Sequence, residues 1–206
     1  MSRHSQIKIT WVVLVALVAV TVAGISAQTG TPDGPKYQNG TTLVRPNDYR
    51  EWQFLSSGLG MTYESEARDF AGAETRTQRF QNVFVNRSSY SSFLETGTWP
   101  DGTMFILEIR AAAGEVSINR AGRFQAELVS LEAEVKDSRF PDGWAFFDFG
   151  RAGALRDVAE PLTGERVARC VTCHTDHTAV ERTFVQFYPT LLEVARDKGT
   201  LRPGFD

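Results

Sequence analysis

Five stretches of this chain, Trp52 to Leu55, Phe80 to Val85, Met104 to Ile109, Phe124 to Val135 and Trp144 to Phe149, concentrate β-branched and aromatic residues between Gly, Pro and Asp punctuation. They read as strands, and their number makes a mainly antiparallel sheet the expected framework. The fourth stretch constrains that sheet most. Its apolar residues fall at Phe124, Ala126 and Leu128, then change phase to Val129, Leu131, Ala133 and Val135. Side chains alternate faces along a strand, so the phase change turns the buried set outward unless an extra residue is absorbed. A bulge or bend near Leu128 is therefore expected, against a competing helix through Leu128, Leu131 and Val135. Helices are indicated from Ser88 to Thr96, closed by Gly97, and from Gly164 to Thr178. Another runs from Pro189 to Lys198, with an apolar stripe at Leu191, Leu192, Val194 and Ala195 and Gly199 as its stop. The class is α+β: one sheet-rich domain with peripheral helices.

The N-terminus predicts the compartment. Arg3 and Lys8 form a basic region, Trp11 to Ala23 an apolar one, and Ile25-Ser26-Ala27 a cleavage site, so residues 1–27 read as an export signal. An uncleaved membrane anchor is the alternative, since Ile9 to Ala27 approaches the roughly 20 residues that span a bilayer. Either way the remainder lies outside the cytoplasm, and a bacterial periplasm is the expected location. Residues 28–46, rich in Gly, Pro, Thr and Asn, read as a flexible linker, and residues 47–206 as the folded domain. The whole chain carries a formal charge of −3 from 22 basic and 25 acidic residues. Losing Arg3 and Lys8 makes the mature remainder more acidic still, which argues against an electrostatic grip on nucleic acid.

Both cysteines of the chain sit in Cys170-Val171-Thr172-Cys173-His174. On a helix, positions i, i+3 and i+4 project from one face, so two thiols and an imidazole meet the same partner. Covalent haem attachment requires that arrangement: each thiol adds to a vinyl group at the porphyrin edge, and the imidazole reaches the iron. Two cysteines and a histidine would fall into this pattern by accident in on the order of one chain in ten thousand. A thioredoxin-like redox pair would want a βαβ surround. A zinc site made of Cys170, Cys173, His174 and His177 would ask eight consecutive residues of one helix to wrap a tetrahedral ion, and a disulfide within one helical turn would be strained. The expected cofactor is thus one covalently attached haem c per chain, held by Cys170 and Cys173 with His174 as axial ligand.

The sixth iron position decides function. Met61, Met104 and His177 are the candidate ligands. His177 follows the proximal ligand too closely on the same helix to reach the opposite face, and each methionine reads as packing or loop, so an open distal site is expected. Most of the many aromatic residues must form core, while one or two line the haem.

The domain resembles the cytochrome P-460 family, which includes the cytochromes c-prime-beta. The resemblance covers about Tyr49 to Gly199. It is carried by Tyr49-Arg50-Glu51-Trp52, Val83-Phe84-Val85-Asn86 with Ser89-Tyr90, and Thr96-Gly97 leading to Pro100-Asp101-Gly102-Thr103. Val135-Lys136-Asp137-Ser138, Gly143-Trp144-Ala145-Phe146-Phe147, the haem motif and Phe187-Tyr188-Pro189-Thr190-Leu191 extend it. The resemblance implies a sheet-based monohaem cytochrome, with a homodimer plausible. Members that oxidise hydroxylamine carry a lysine bonded to a haem meso carbon, in a Gly-Thr strand pattern that here reads Gly102-Thr103-Met104-Phe105-Ile106-Leu107-Glu108. Leu107 occupies the lysine position and cannot form that bond, while Lys136 does not match it.

This departure implies the c-prime-beta-like branch, whose members bind nitric oxide or carbon monoxide at a five-coordinate haem. Two alternatives stand beside it. One is hydroxylamine oxidation with electrons passed to a partner cytochrome, for which Glu108, Asp148 and Arg182 are conceivable proton-handling residues, none of them assigned as catalytic. The other is plain electron transfer with Met61 or Met104 as ligand.

Overall fold

The computed structural model describes residues 33–61 and 78–205. The export signal expected over residues 1–27 lies outside the described residues. Two antiparallel sheets form the framework. The small one joins β1 (Tyr37–Gln38), β2 (Thr42–Val44) and β8 (Val158–Ala159). The large one runs in simple sequence order through β3 (Gln53–Leu59), β4 (Arg79–Val85), β5 (Thr103–Ala113), β6 (Phe124–Lys136) and β7 (Trp144–Arg151). Helices α1 (Arg87–Thr96), α2 (Gly164–Asp176) and α3 (Pro189–Lys198) accompany them. The expected α+β class, mainly antiparallel with peripheral helices, is what forms.

The phase change in the fourth stretch is resolved by a bulge. Across β5 and β6, Ile109 pairs with Ser130 but Arg110 pairs with Leu128, which leaves Val129 as the extra residue. Leu128 and Leu131 thereby stay on one face of a continuous strand. Helices α1 and α3 end where glycine permits a left-handed residue, at Gly97 and Gly199. Helix α2 stops at Asp176, short of the expected Thr178, because His177 leaves the helical conformation and Thr178 turns its hydroxyl back to the His174 carbonyl at 2.6 Å.

The linker expectation is corrected from Tyr37 onward. Tyr37 to Val44 pair as β1 and β2, and Leu43 is fully buried against the large sheet. Strands of two and three residues are too short to show a period, so composition alone read as linker.

The large sheet buries both faces. On one, Phe84, Met104, Ile106, Leu131, Ala133, Val135, Phe147 and Phe149 pack beneath Leu43, Tyr49 and Phe140. The opposite face carries Val85 and Phe105 into a second core with Phe93, Trp99, Val180, Val185, Tyr188 and Leu191. That second face continues into the site.

Candidate functional site

Between α2 and the large sheet lies a cavity with about 960 Å³ of empty space, its open mouth included. Its sheet wall is built from two rows of cross-strand neighbours. Phe105, Glu134 and Phe146 form one row, and Ser56, Val83, Leu107 and Glu132 the next. Beyond them Gly58 pairs with Gln81, and Met61 closes that end. Leu162, Cys170, His174, Thr183, Phe184, Phe187 and Tyr188 supply the other wall. The lining of the cavity is mostly apolar with a few polar groups, the character of a small-molecule or cofactor site.

His174 is oriented from three sides. Its Nδ1 lies 2.8 Å from the Arg182 carbonyl oxygen, which can only accept, so Nδ1 carries the proton and the Nε2 lone pair is left free. The rings of Phe146 and Phe184 meet the imidazole nearly edge-on, each with centroids 4.8 Å away. Glu134 Oε1 is 3.1 Å from the same Nδ1, but the proton is directed at Arg182, and this oxygen has no hydrogen-bond donor among the described residues. Burial pushes the Glu134 carboxyl up against the pull of His174 and Arg182. Burial alone would lower the His174 value, yet the Glu134 charge and the Arg182 carbonyl outweigh it and raise it.

The turn that presents the Arg182 carbonyl is itself anchored. Trp99 Nε1 donates to Thr183 Oγ1 at 2.8 Å within the core, and Thr183 Oγ1 donates to the Val180 carbonyl at 2.8 Å. Lys136 Nζ donates to the Trp99 carbonyl at 2.6 Å and to Glu181 at 2.8 and 2.9 Å. Lys136 thus helps to hold the turn and lies away from the cavity wall, while Asp137 accepts from Arg139 and Ser138 donates to Asp101.

The two cysteines of α2 carry free thiols, both partly buried. Cys170 lines the cavity one helical turn before His174. Burial raises both thiols above their ordinary value, reinforced by Glu132 and Glu134 at Cys170 and by Asp176 at Cys173. No group of three or more His, Cys, Asp or Glu among the described residues is arranged to hold a metal ion. The donor set of two free thiols and one oriented imidazole beside a mostly apolar cavity fits a haem.

The candidate sixth ligands separate cleanly. Met104 lies on the opposite face of the sheet, 1% exposed within the first core, so it cannot reach the cavity. His177 caps α2 at the surface and is not among the cavity residues. Met61 does line the cavity. Of the conceivable proton-handling residues, Glu108 also points to the opposite face, where Tyr49, Asn82, Arg50 and Arg110 bind its carboxylate. Asp148 pairs with Arg166 at 2.7 Å, and Arg182 acts at His174 through its backbone. Glu132 and Glu134 are the acidic residues on the cavity wall, and sequence reasoning passed over both. The alternation of β6 could have found them, since they flank Ala133 in a strand whose odd positions are buried. Confinement and nearby Asp148 push the Glu132 carboxyl up.

The sequence profile of the cytochrome P460 family matches residues 46–185, most of the described chain. The protein belongs to that family, a family of haem proteins of the c-type cytochrome kind. Comparison with curated proteins returned no match.

Proposed function

We propose that this protein is an exported, periplasmic monohaem c-type cytochrome that binds a small neutral diatomic, nitric oxide or carbon monoxide, at an open distal site. Cys170 and Cys173 would hold the haem covalently, each through a thioether made by adding its S–H across one vinyl group, an addition that needs no oxidant or reductant. His174 would hold the iron through Nε2, with its Nδ1 proton kept on the Arg182 carbonyl. When bound, the haem would supply a redox-active iron able to take up a small ligand. Around it, this chain orients the imidazole and lines the space where a ligand enters with mostly apolar side chains.

The observation that carries the reading is the order of rows along the sheet. Moving away from the Glu134 row that touches His174, the wall becomes Ser56, Val83 and Leu107, with Glu132 at its β6 end, and then Gly58, Gln81 and Met61, so the part built by β3, β4 and β5 carries no charged side chain. Neither lysine nor a second imidazole is among the described residues lining the cavity. The uncharged wall contributed by β3, β4 and β5 favours an uncharged diatomic over a charged ligand, because burying an unpaired charge is costly. No helix among the described residues is long and apolar enough to cross a membrane.

Glu132 favours a second reading. It lies directly across from Leu107 and is a carboxyl able to carry protons in the oxidation of hydroxylamine, with electrons leaving to a partner cytochrome. Optical spectra of the exported, purified protein, oxidised and reduced, with and without carbon monoxide or nitric oxide, separate the two. A normal c-type five-coordinate spectrum that responds to the gas is expected. A strongly red-shifted reduced Soret band, with hydroxylamine-dependent reduction of an acceptor, would overturn the gas-binding reading.

A further inference from the structure

Met61 reaches the cavity by an unusual route. It follows β3 in the chain, yet its thioether folds back over that strand: a Cβ built on Gly58 would stand 2.0 Å from Met61 Sδ and 2.8 Å from its Cγ. Gly58 and Ser56 both face the cavity, so the sulfur occupies the place that a side chain at position 58 would otherwise fill. Gln81, paired with Gly58 on the next strand, donates from Nε2 to the Met61 carbonyl at 3.3 Å and fixes the backbone from which the side chain returns. The missing Cβ at 58 is therefore a cradle for the thioether. It lies beyond Leu107 on the side away from His174.

We infer that Met61 is the movable distal wall of this site, a specificity-determining residue that an incoming diatomic must push aside. Resting on the haem reading above, it assigns Met61 the regulation of access to the same pocket. Three rotatable bonds and a polarisable sulfur let methionine yield and repack at little cost, which suits a side chain that opens and recloses over a small ligand. The cradle holds the sulfur against the sheet, so its role is to restrict space, and it is not an iron ligand.

The two residues of the cradle make opposite predictions. In the reduced holoprotein, Met61→Ala clears the distal end, and carbon monoxide association, followed by flash photolysis, rises by about tenfold. Gly58→Ala pushes the thioether deeper into the cavity, and association slows by a similar factor. Adding Met61→Ala to Gly58→Ala abolishes the slowing, because the methyl group introduced at position 58 reaches less far on its own than the displaced side chain. Haem content and the urea midpoint of each variant establish that it is folded.

Rates within about twofold of one another in the unaltered protein and both single variants would overturn the Met61 inference and leave gas binding intact. A low-spin, six-coordinate reduced spectrum that turns five-coordinate in Met61→Ala would overturn it in favour of iron ligation. Failure of every protein to bind carbon monoxide would overturn the gas-binding reading together with the inference.

Discussion

Arg182 offers its backbone carbonyl to His174 Nδ1 at 2.8 Å, and the residue that follows it, Thr183, is bolted into the core by the Trp99 indole. The orientation of the imidazole is thus set through the chain by a tryptophan on the far side of the turn. Replacing Thr183 with Val leaves a buried indole N–H without its acceptor, which is expected to cost about 1–3 kcal/mol in urea denaturation. As the carbonyl loosens, His174 becomes a poorer electron donor, and the reduction potential of the holoprotein should rise. An unchanged potential alongside the lost stability would show that the turn holds itself.

The attachment reading separates the two thiols from the imidazole. Cys170→Ala and Cys173→Ala, made singly, should each keep haem on the polypeptide through the remaining thioether in a denaturing gel, and the double variant should lose it. His174→Ala should retain covalent haem but change its spectrum. Haem stain persisting in the double cysteine variant would refute attachment at this motif.

Glu108 has the reverse character, a carboxylate with no exposed surface and no place in the cavity. Burial would raise its pKa, but hydrogen bonds from Tyr49, Arg110 and Asn82 outweigh that and hold it below its ordinary 4.5. The burial of Tyr49 and its bond to Glu108 push the phenol up to about 12. Because the folded carboxyl value lies below the unfolded one, the stabilisation is fully present above 4.5 and is lost as pH falls through the folded value. Glu108→Ala takes the shared acceptor from Tyr49, Arg50, Arg110 and Asn82 and should cost about 3–5 kcal/mol at neutral pH, with a shallower acid-side decline. Denaturation midpoints across the acid range measure both. An undiminished acid slope in the variant would assign the acid sensitivity elsewhere.

Phe146 is 6% exposed and meets His174 edge-on. Phe146→Ala should cost about 3 kcal/mol, toward the lower end for such truncations because the ring borders a cavity and not solid core. Phe146→Leu should recover most of that loss. Equal midpoints for the Ala variant and the unaltered protein would mean that the ring contributes no packing.

Much of this molecule was legible from residue order. Local patterns predicted the five long strands, the glycine stops at Gly97 and Gly199, and the bulge beside Leu128, because each is decided by neighbours a few positions apart. The Cys170, Cys173 and His174 triplet was equally visible, since one helix carries all three. Contacts between distant segments were not. Nothing near Arg182 in the chain announces that its carbonyl meets His174, and nothing near Glu134 announces a histidine 40 positions onward. The short strands β1 and β2 were missed because their stability comes from β8 and the large sheet, not from any period of their own. Residue order left Glu108 open between an ion pair and proton handling for want of a face: only the register of β5 separates it from the cavity and gives it to Arg50 and Arg110.

That same register divides β5 into two independent inheritances. Leu107 belongs to the cavity, whereas Met104, Ile106 and Glu108 belong to the opposite core, so a single codon at 107 can alter what the pocket does while the contacts that keep the chain folded go untouched. An insertion or deletion of one residue in β5 would do the opposite, delivering a carboxylate to the pocket and a leucine to its arginines. A lineage built on this strand is free to change its chemistry by substitution, and is barred from changing it by length.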